Sequence, residues 1–485
     1  VTTLLALTLG GCLPERPQNA EETGVYPKVF PSDFGAAVPV NIAPLNFRVD
    51  DECDRVFLSV RGKNENLLEY SFDGNSVKIP VADWSKFLDE NKGDSITLTV
   101  FLNQDKRWLK YKAFSYFVAP DPIDPFLVYR LIFPGYQTWN MMGIYQRCLS
   151  DFSVDVVLDS RLMPYTCMNC HAMAANNPDN MLLHLRENNS GTIIIQGKKI
   201  EKLNTKTQNT FSAVGFPYWH PSAKYIAFSI DKVRQLFPAS GHERAHALDM
   251  ESDMVIYDVA KNEFITSPLI FSPDAFEAFP CFSPDGTTLY FVTAKATAMP
   301  KEHRDVRYSL CAVAFDGRTG QLGQTVDTLI SSARFGKSVT MPRVSPDGRH
   351  IMVTATDHGN FPAYYKDADL YQYDTEDSSL IRVDMLNSGD VESYHSWSSN
   401  GRWVAFGSRR MDGLYMNVYL AYCDRDGVFH KPFLLPQEDP DFYRSSLYSF
   451  NIPEFSVKPV QVGPYDIERV AKTSKGSQVR FDTTH

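Results

Sequence analysis

The sequence predicts an all-β chain: an N-terminal β-sandwich followed by a β-propeller of five to seven blades, with six the favoured count. Three observations predict it. Aromatics are plentiful, with 24 Tyr and 32 Phe among 485 residues, as many short half-buried strands require. The first quarter alternates apolar and polar residues in short runs between turn-rich stretches. Beyond it, a two-hairpin unit built on a Ser-Pro-Asp-Gly-type turn recurs at long, nearly regular spacing.

In chain order, "VTTLLALTLGGCLPERPQNAEE" is an apolar run, then small residues, Cys12 and a polar stretch. "LGGC" resembles the lipobox of bacterial lipoproteins. That resemblance implies a lipid on Cys12, membrane attachment through it, and residence in the bacterial cell envelope, at the periplasm or outer membrane. Leu13 lacks the Asp that retains a lipoprotein at the inner membrane in the enteric sorting rule. A short buried strand with a chance cysteine is the alternative. Residues 1–12 are therefore expected to be the end of a signal and 13–30 a tether. No later apolar run reaches the roughly 18–20 residues needed to cross a bilayer.

Residues 31–119, from "VPVNIAPLNFRV" through "SITLTVFLNQDKRWLKYKAFSYFVAP", read as an immunoglobulin-like β-sandwich, its strands separated by "KNEN", "DGN" and "NKGD". "APDPIDP" is a stiff hinge and places a boundary near 119–125. The propeller is expected over 120–455, with a C-terminal tail at 456–485.

The repeat carries the propeller assignment. "FPYWHPSAKYIAFS", "FPCFSPDGTTLYFVT", "MPRVSPDGRHIMVTA" and "YHSWSSNGRWVAFGS" share an apolar lead-in, a tight turn and a following strand. Pro221, Pro284, Pro346 and Ser399 mark the turns at spacings of 63, 62 and 53 residues. In the turn, Pro presets one dihedral, Asp caps locally and Gly takes a conformation that a side chain disfavours. Each unit is followed by a second strand signal, such as "SDMVIYDVAKNEF" or "ADLYQYDTEDSSL", so two hairpins make one four-stranded blade. A weaker unit precedes them, and "YSFNIPEFSVKPV" is read as the strand that closes the ring.

Within the propeller lies "SRLMPYTCMNCHAMAANNPDNMLLHLR", read as an insertion at 160–190 in which Cys167, Cys170 and His171 form C-x-x-C-H. In c-type cytochromes this spacing lets two thioethers span one porphyrin edge while the imidazole reaches iron. Chance would produce it on the order of a few times in a thousand such sequences. Covalent haem c is the leading reading. A Cys167–Cys170 disulfide and a zinc site, which would need two more ligands, stay open. Met173, Met181 and His184 are candidates for a sixth iron ligand, His184 being preferred, and a five-coordinate iron is also open. Against axial ligation stands a plainer reading of "MLLHLR" as a short amphipathic helix packed on the propeller. The remaining cysteines, 53, 148, 281, 311 and 423, are odd in number and read mainly as buried thiols.

A second motif, His242, Glu243 and His246, matches H-E-x-x-H, which on a helix binds zinc with the Glu activating water. Pro238, Ser240 and Gly241 precede it, and Glu251 or Glu263 as third ligand lacks a fitting context. A polar loop between two strands of one blade explains it better. Trp219 and His220, beside a blade turn, read as packing residues. No G-x-S-x-G or phosphate-cradling loop is present, nor, within these residues, a hydrolase domain of the kind prolyl peptidases carry. A net charge of -10 and the lack of a long Lys/Arg block exclude nucleic acid as a natural partner.

The "SPDG" units look like the TolB-type, WD-repeat-like propellers of bacterial envelopes. "RLIFPGY", "GIYQR", "CMNCH", "MLLHLR", "YWHPSAKYIAFS" and "SFNIPEF" together resemble TolB-like lipoproteins carrying one C-x-x-C-H. This resemblance implies electron transfer, or redox-linked assembly with an envelope protein or redox partner. The alternative it implies is a non-redox scaffold that recognises a protein or peptide at the central channel.

Overall fold

The computed structural model describes residues 15–133, 141–236 and 246–481. The chain is all-β and divides into two compact units. Cys12 and most of the signal-like segment lie outside the described residues.

The smaller unit comprises the N-terminal residues to Pro122 with two short returns, 150–152 and 436–446. Its seven-stranded sheet is organised around Ser95–Gln104, which pairs with Arg55–Arg61, Arg107–Lys110 and Phe114–Ala119. Alternation buries Ile96, Leu98 and Val100 on one face. A three-stranded sheet of Val29–Phe30, Phe47–Val49 and Ser76–Val77 accompanies it. Two features depart from expectation. Residues after Glu21 are not a free tether, because Glu21–Glu22 pairs in parallel with Leu109–Lys110 and Lys110 Nζ lies 2.8 Å from Glu22. A helix, Val81–Glu90, interrupts the strands and buries Trp84, Phe87 and Leu88. Those three residues have the i, i+3, i+4 spacing of one helical face, and Pro80 precedes the first turn.

The larger unit holds six successive sheets, each built on four antiparallel strands. In five of them the chain runs as a meander that begins with Thr166–Ala174, Val214–Trp219, Ala275–Phe282, Ser338–Val344 or Glu392–Trp397. The remaining sheet combines Phe126–Ile132, Met142–Cys148 and Val154–Asp159 with the late strand Ser449–Ser456. The five leading strands and Ser449–Ser456 touch one another in sequence, and the last returns to Thr166–Ala174, so they form a closed ring. These six are the inner strands of the unit.

The turn chemistry is visible atom by atom. Ser283 Oγ bonds Asp285 Oδ1 and accepts the Thr288 N–H at 3.0 Å, while Gly286 sits at φ 72°. Ser398, Asn400 and Gly401 repeat this arrangement, with Trp403 N–H donating to Ser398 Oγ at 2.9 Å.

Each inner strand also carries a bulge. The register slips between Gly215 and Tyr218, Ala278 and Cys281, Thr340 and Arg343, and Ser393 and Ser396, and opposite Ile452–Pro453. Phe216, Phe279, Met341, Tyr394 and Ile452 take φ between 43° and 52° there, a left-handed conformation that costs a bulky residue energy. Pro217, Pro280, Pro342 and Pro453 follow four of them, and Pro, lacking an N–H, suits a site where the ladder is interrupted. His395 takes that position after Tyr394. The sixth inner strand slips between Asn169 and His171, which makes His171 the counterpart of His395.

The 160–190 segment is therefore not an insertion. Thr166–Ala174 is an inner strand, and "MLLHLR" belongs to Asn177–Glu187, a strand paired on both edges, where the sequence suggested a helix. Nor are 456–481 a loose tail. Helix Pro464–Thr473 buries Ile467 and Ala471 against the core of this region, and Ser477–Gln478 and Arg480–Phe481 add parallel edge strands to two sheets.

Candidate axial binding site

Strand pairing gives the setting of Cys167 and His171. Partners across a ladder share a face, and faces alternate along a strand. His171 pairs with Leu183, on the face of the cluster that contains Met168, Met173 and Met181. Cys167 pairs with Arg186 and Asn169 with His184, the Asn169 amide donates to Cys167 Sγ at 3.3 Å, and Cys167 packs against the edge of the same cluster. The Cys170 side chain lies outside the described residues.

A c-type haem requires its cysteines and its proximal histidine on one porphyrin. His171 is buried, with its ring against the backbone at Val128 and Ile452 and beside Glu454. His184 pairs with Asn169, on the face of the sheet away from His171. Its Nδ1 lies 3.0 Å from Thr192 Oγ1, and burial, aided by Arg186, lowers its pKa to about 3. Met173 and Met181 are core residues. Among the described residues no group of three His, Cys, Asp or Glu side chains converges as a metal site.

The H-E-x-x-H motif falls between strands Tyr225–Leu236 and His246–Asp258. His242 and Glu243 lie outside the described residues. His246 is buried in a strand with its ring 5.7 Å from that of His303, so it lacks the helical setting of a zinc-binding pair. Glu251 forms an ion pair with Lys232 at 2.5 Å, and Glu263 lies on a strand pairing with Arg480. Trp219 and His220 pack as expected: Trp219 Nε1 donates to Ala172 O at 3.1 Å, and His220 bonds Ser222 and Gly286.

What the fold does bring together is a cavity of about 320 Å³ lined by all six inner strands. The bulges re-aim side chains toward it. His171, Tyr218, Arg343, His395 and Glu454 line it, with Trp219 and Trp397 supplying apolar wall.

Glu454 Oε1 accepts the Met173 N–H at 3.0 Å, and Oε2 lies 3.9 Å from His171 Nε2. Burial raises the Glu454 pKa to about 7, against the opposing effects of Met173 N–H and Arg343. Burial likewise lowers His171 to about 4, with Arg130 adding to the shift and the backbone at Val128 and Ile452 opposing it. His395 Nε2–H donates to Met352 O at 2.9 Å, and its pKa falls to about 3, chiefly through burial. Arg343 donates to Pro342 O at 2.8 Å and stands 5.2 Å from the Tyr218 ring centroid. Among the described residues no carboxylate forms an ion pair with it.

Three buried polar atoms on this wall have no hydrogen-bond partner: His171 Nε2, Glu454 Oε2 and His395 Nδ1. Such atoms cost free energy and, in native proteins, point to water or a ligand.

The sequence reading named His171 for another role and passed over Tyr218, Arg343, His395 and Glu454. A signal existed. The residue following the bulge is Tyr218, Cys281, Arg343, Ser396, Glu454 or Ala172, so chemistry varies at one repeated position.

No family model matches the chain, and no curated protein matches it. Among solved structures it is similar to an oligogalacturonate lyase in complex with manganese, at TM-score 0.35 and 8% identity, covering 64% of this chain and 73% of that one. A prolyl oligopeptidase B from Galerina marginata gives TM-score 0.36 and 11% identity, covering 81% and 54%. A puromycin-hydrolyzing peptidase of Mycobacterium tuberculosis gives 0.36 and 10%, covering 87% and 57%. The chain thus spans little more than half of either peptidase. Likenesses this slight carry no argument about its activity.

Proposed function

We propose that the larger unit is a six-bladed β-propeller, that the smaller one is a β-sandwich, and that the protein is a ligand-binding module of the bacterial envelope, lipid-anchored at Cys12. Its binding site is the axial cavity. The observation that carries this reading is the convergence there of three buried polar atoms without a partner, and an arginine without an ion pair, among the described residues. A merely structural channel would satisfy these groups internally or replace them with apolar ones.

The non-redox scaffold implied by the TolB-like resemblance agrees with this reading. A cavity of about 320 Å³ with tryptophan and proline walls suits the end of an extended peptide, not a folded domain. The electron-transfer reading rests on the C-x-x-C-H spacing together with the resemblance to TolB-like lipoproteins that carry it.

Photo-crosslinking in the envelope tests the proposal. A benzoylphenylalanine at Trp397, in the cavity wall, should capture an occupant, whereas the same group at Tyr465, 71% exposed on the outer helix, should not. Loss of the adduct with Arg343→Met would support the assignment. Equal labelling at both positions, or none at 397, would sink it.

A further inference from the structure

The chemistry of two cavity residues narrows the ligand. We propose that the axial site binds an N-acylated α-amino acid unit bearing a free carboxylate, as at a peptide C-terminus, with Arg343 taking the carboxylate and His395 accepting the adjacent amide N–H. This rests on the axial cavity being a binding site.

Arg343 offers the first half. A guanidinium has N–H donors in a planar fork that matches a carboxylate in bidentate geometry. One nitrogen, Nη1, is spent on Pro342 O. The Tyr218 ring lies 5.2 Å from the guanidinium carbon and restricts its plane. The backbone beneath is anchored by the Trp397 indole N–H, which donates to Arg343 O at 3.1 Å. A cation held this way, lining a cavity and without an ion pair among the described residues, is matched by an anion from outside. The nearby acid, Glu454, has Oε1 committed to the Met173 N–H and Oε2 3.9 Å from His171 Nε2, outside ion-pair distance of Arg343, and burial raises its pKa to about 7.

His395 offers the second half. Because Nε2 faces the Met352 carbonyl oxygen at 2.9 Å, it must carry the ring proton. Nδ1 then holds a lone pair, is buried and has no donor, and the ring also sits against the Met341 backbone. Arg343 is close enough to act electrostatically on this ring. A donor-rich cation beside a lone acceptor is complementary to a carboxylate beside an N–H. A simple fatty acid would satisfy only the first, and an amine only the second.

The cavity's volume corresponds to on the order of ten liquid waters, room for one or two residues. The acyl unit could be a free acylamino acid or the end of a protein chain, and the test separates these. Calorimetry and quenching of Trp219 and Trp397 fluorescence would be measured with N-acetyl-Ala-Ala-X peptides spanning aliphatic, aromatic, polar and charged X, each as acid and as C-terminal amide. N-acetyl-X and a carrier domain ending in the best tripeptide would accompany them. Hydrogen exchange would locate binding.

The preferred acid should bind at least tenfold more tightly than its amide and protect inner strands 166–174 and 449–456. Arg343→Met should abolish the difference, and Arg343→Lys should retain part of it. Circular dichroism checks folding, and the acid-to-amide ratio in the unaltered protein stands even if the Met variant fails to fold. Binding of N-acetyl-X equal to the carrier's assigns a free acylamino acid as ligand. Carrier binding tighter than N-acetyl-X assigns a chain terminus. Equal binding of acid and amide, with inner strands protected, overturns the carboxylate assignment and leaves the cavity as a site. No inner-strand protection by any probe overturns both.

Discussion

His171 and His395 occupy the same place on two inner strands, yet only one of them sits in a recognisable sequence motif. Each follows a bulge, each is buried, and each has its pKa pulled down, to about 4 and about 3. The correspondence extends to their surroundings. His395 meets the backbone of Met352, the cross-strand partner of Arg343; His171 meets the backbone of Val128, the cross-strand partner of Glu454. The bulge residues Met341 and Ile452 complete the two settings. His395 has "SY" before it and no cysteine nearby, which shows that a histidine here needs no haem to explain it. A motif match is a statement about spacing, whereas the repeat position decides direction.

The largest test of that comparison is all or none. Protein matured in a host with cytochrome c assembly should show no haem-staining band after denaturation and no pyridine haemochrome spectrum. A covalent band would mean that strand 166–174 opens before the cofactor attaches. Next in size, Leu183→Ala, in the core opposite His171, should cost about 2–5 kcal/mol in chemical denaturation, as a large-to-small change in a packed sheet does. Cys167→Ser, at a half-buried position, should change stability by less than about 1 kcal/mol. Similar costs for both would deny that the segment is an ordinary inner strand.

A pH series extends the test beyond the histidines to buried acids near the inner strands. Burial raises Glu277 to about 8, with Asp253 adding to it, and raises Asp253 to about 6. Asp249 rises to about 7 despite hydrogen bonds from Asn360 and Tyr308. Groups with raised folded pKa bind protons more tightly when folded, so stability is fullest below about pH 4 for these terms and falls as pH rises through 6–8. Above about pH 6.5, where the buried histidines no longer titrate, the melting temperature should therefore decline up to about pH 8.5, and Glu277→Gln should flatten the decline. An unchanged slope in that variant would remove Glu277 from the account. Smallest of all, His171→Pro should cost under about 1 kcal/mol, because four other inner strands carry proline at this position. A large loss would break the equivalence.

Much of the fold was legible because it is written in local chemistry. The Ser-Pro-Asp-Gly turns need only neighbouring residues to form, and their spacing announced a repeated unit. Helix Val81–Glu90 was legible too, through Trp84, Phe87 and Leu88, but the strand signals around it obscured it. Strand 166–174 was misread because Cys170 and His171 replace the apolar residue and proline that mark most of its counterparts. The tail was misread because Ser477–Gln478 and Arg480–Phe481 are too short to declare themselves as strands until an edge is there to pair with.

By itself the sequence determined the all-β class, the turn chemistry and the recurrence of the hairpin unit, since each follows from interactions within a few residues. Only the tertiary structure decided that Glu454 Oε1 would meet the backbone of Met173, 281 residues away, and that Arg343 and His395 would line the same cavity. Ring closure makes neighbours of distant segments, and a bulge turns identical strand positions toward one axis. Neither leaves a period in the chain from which that meeting could be read.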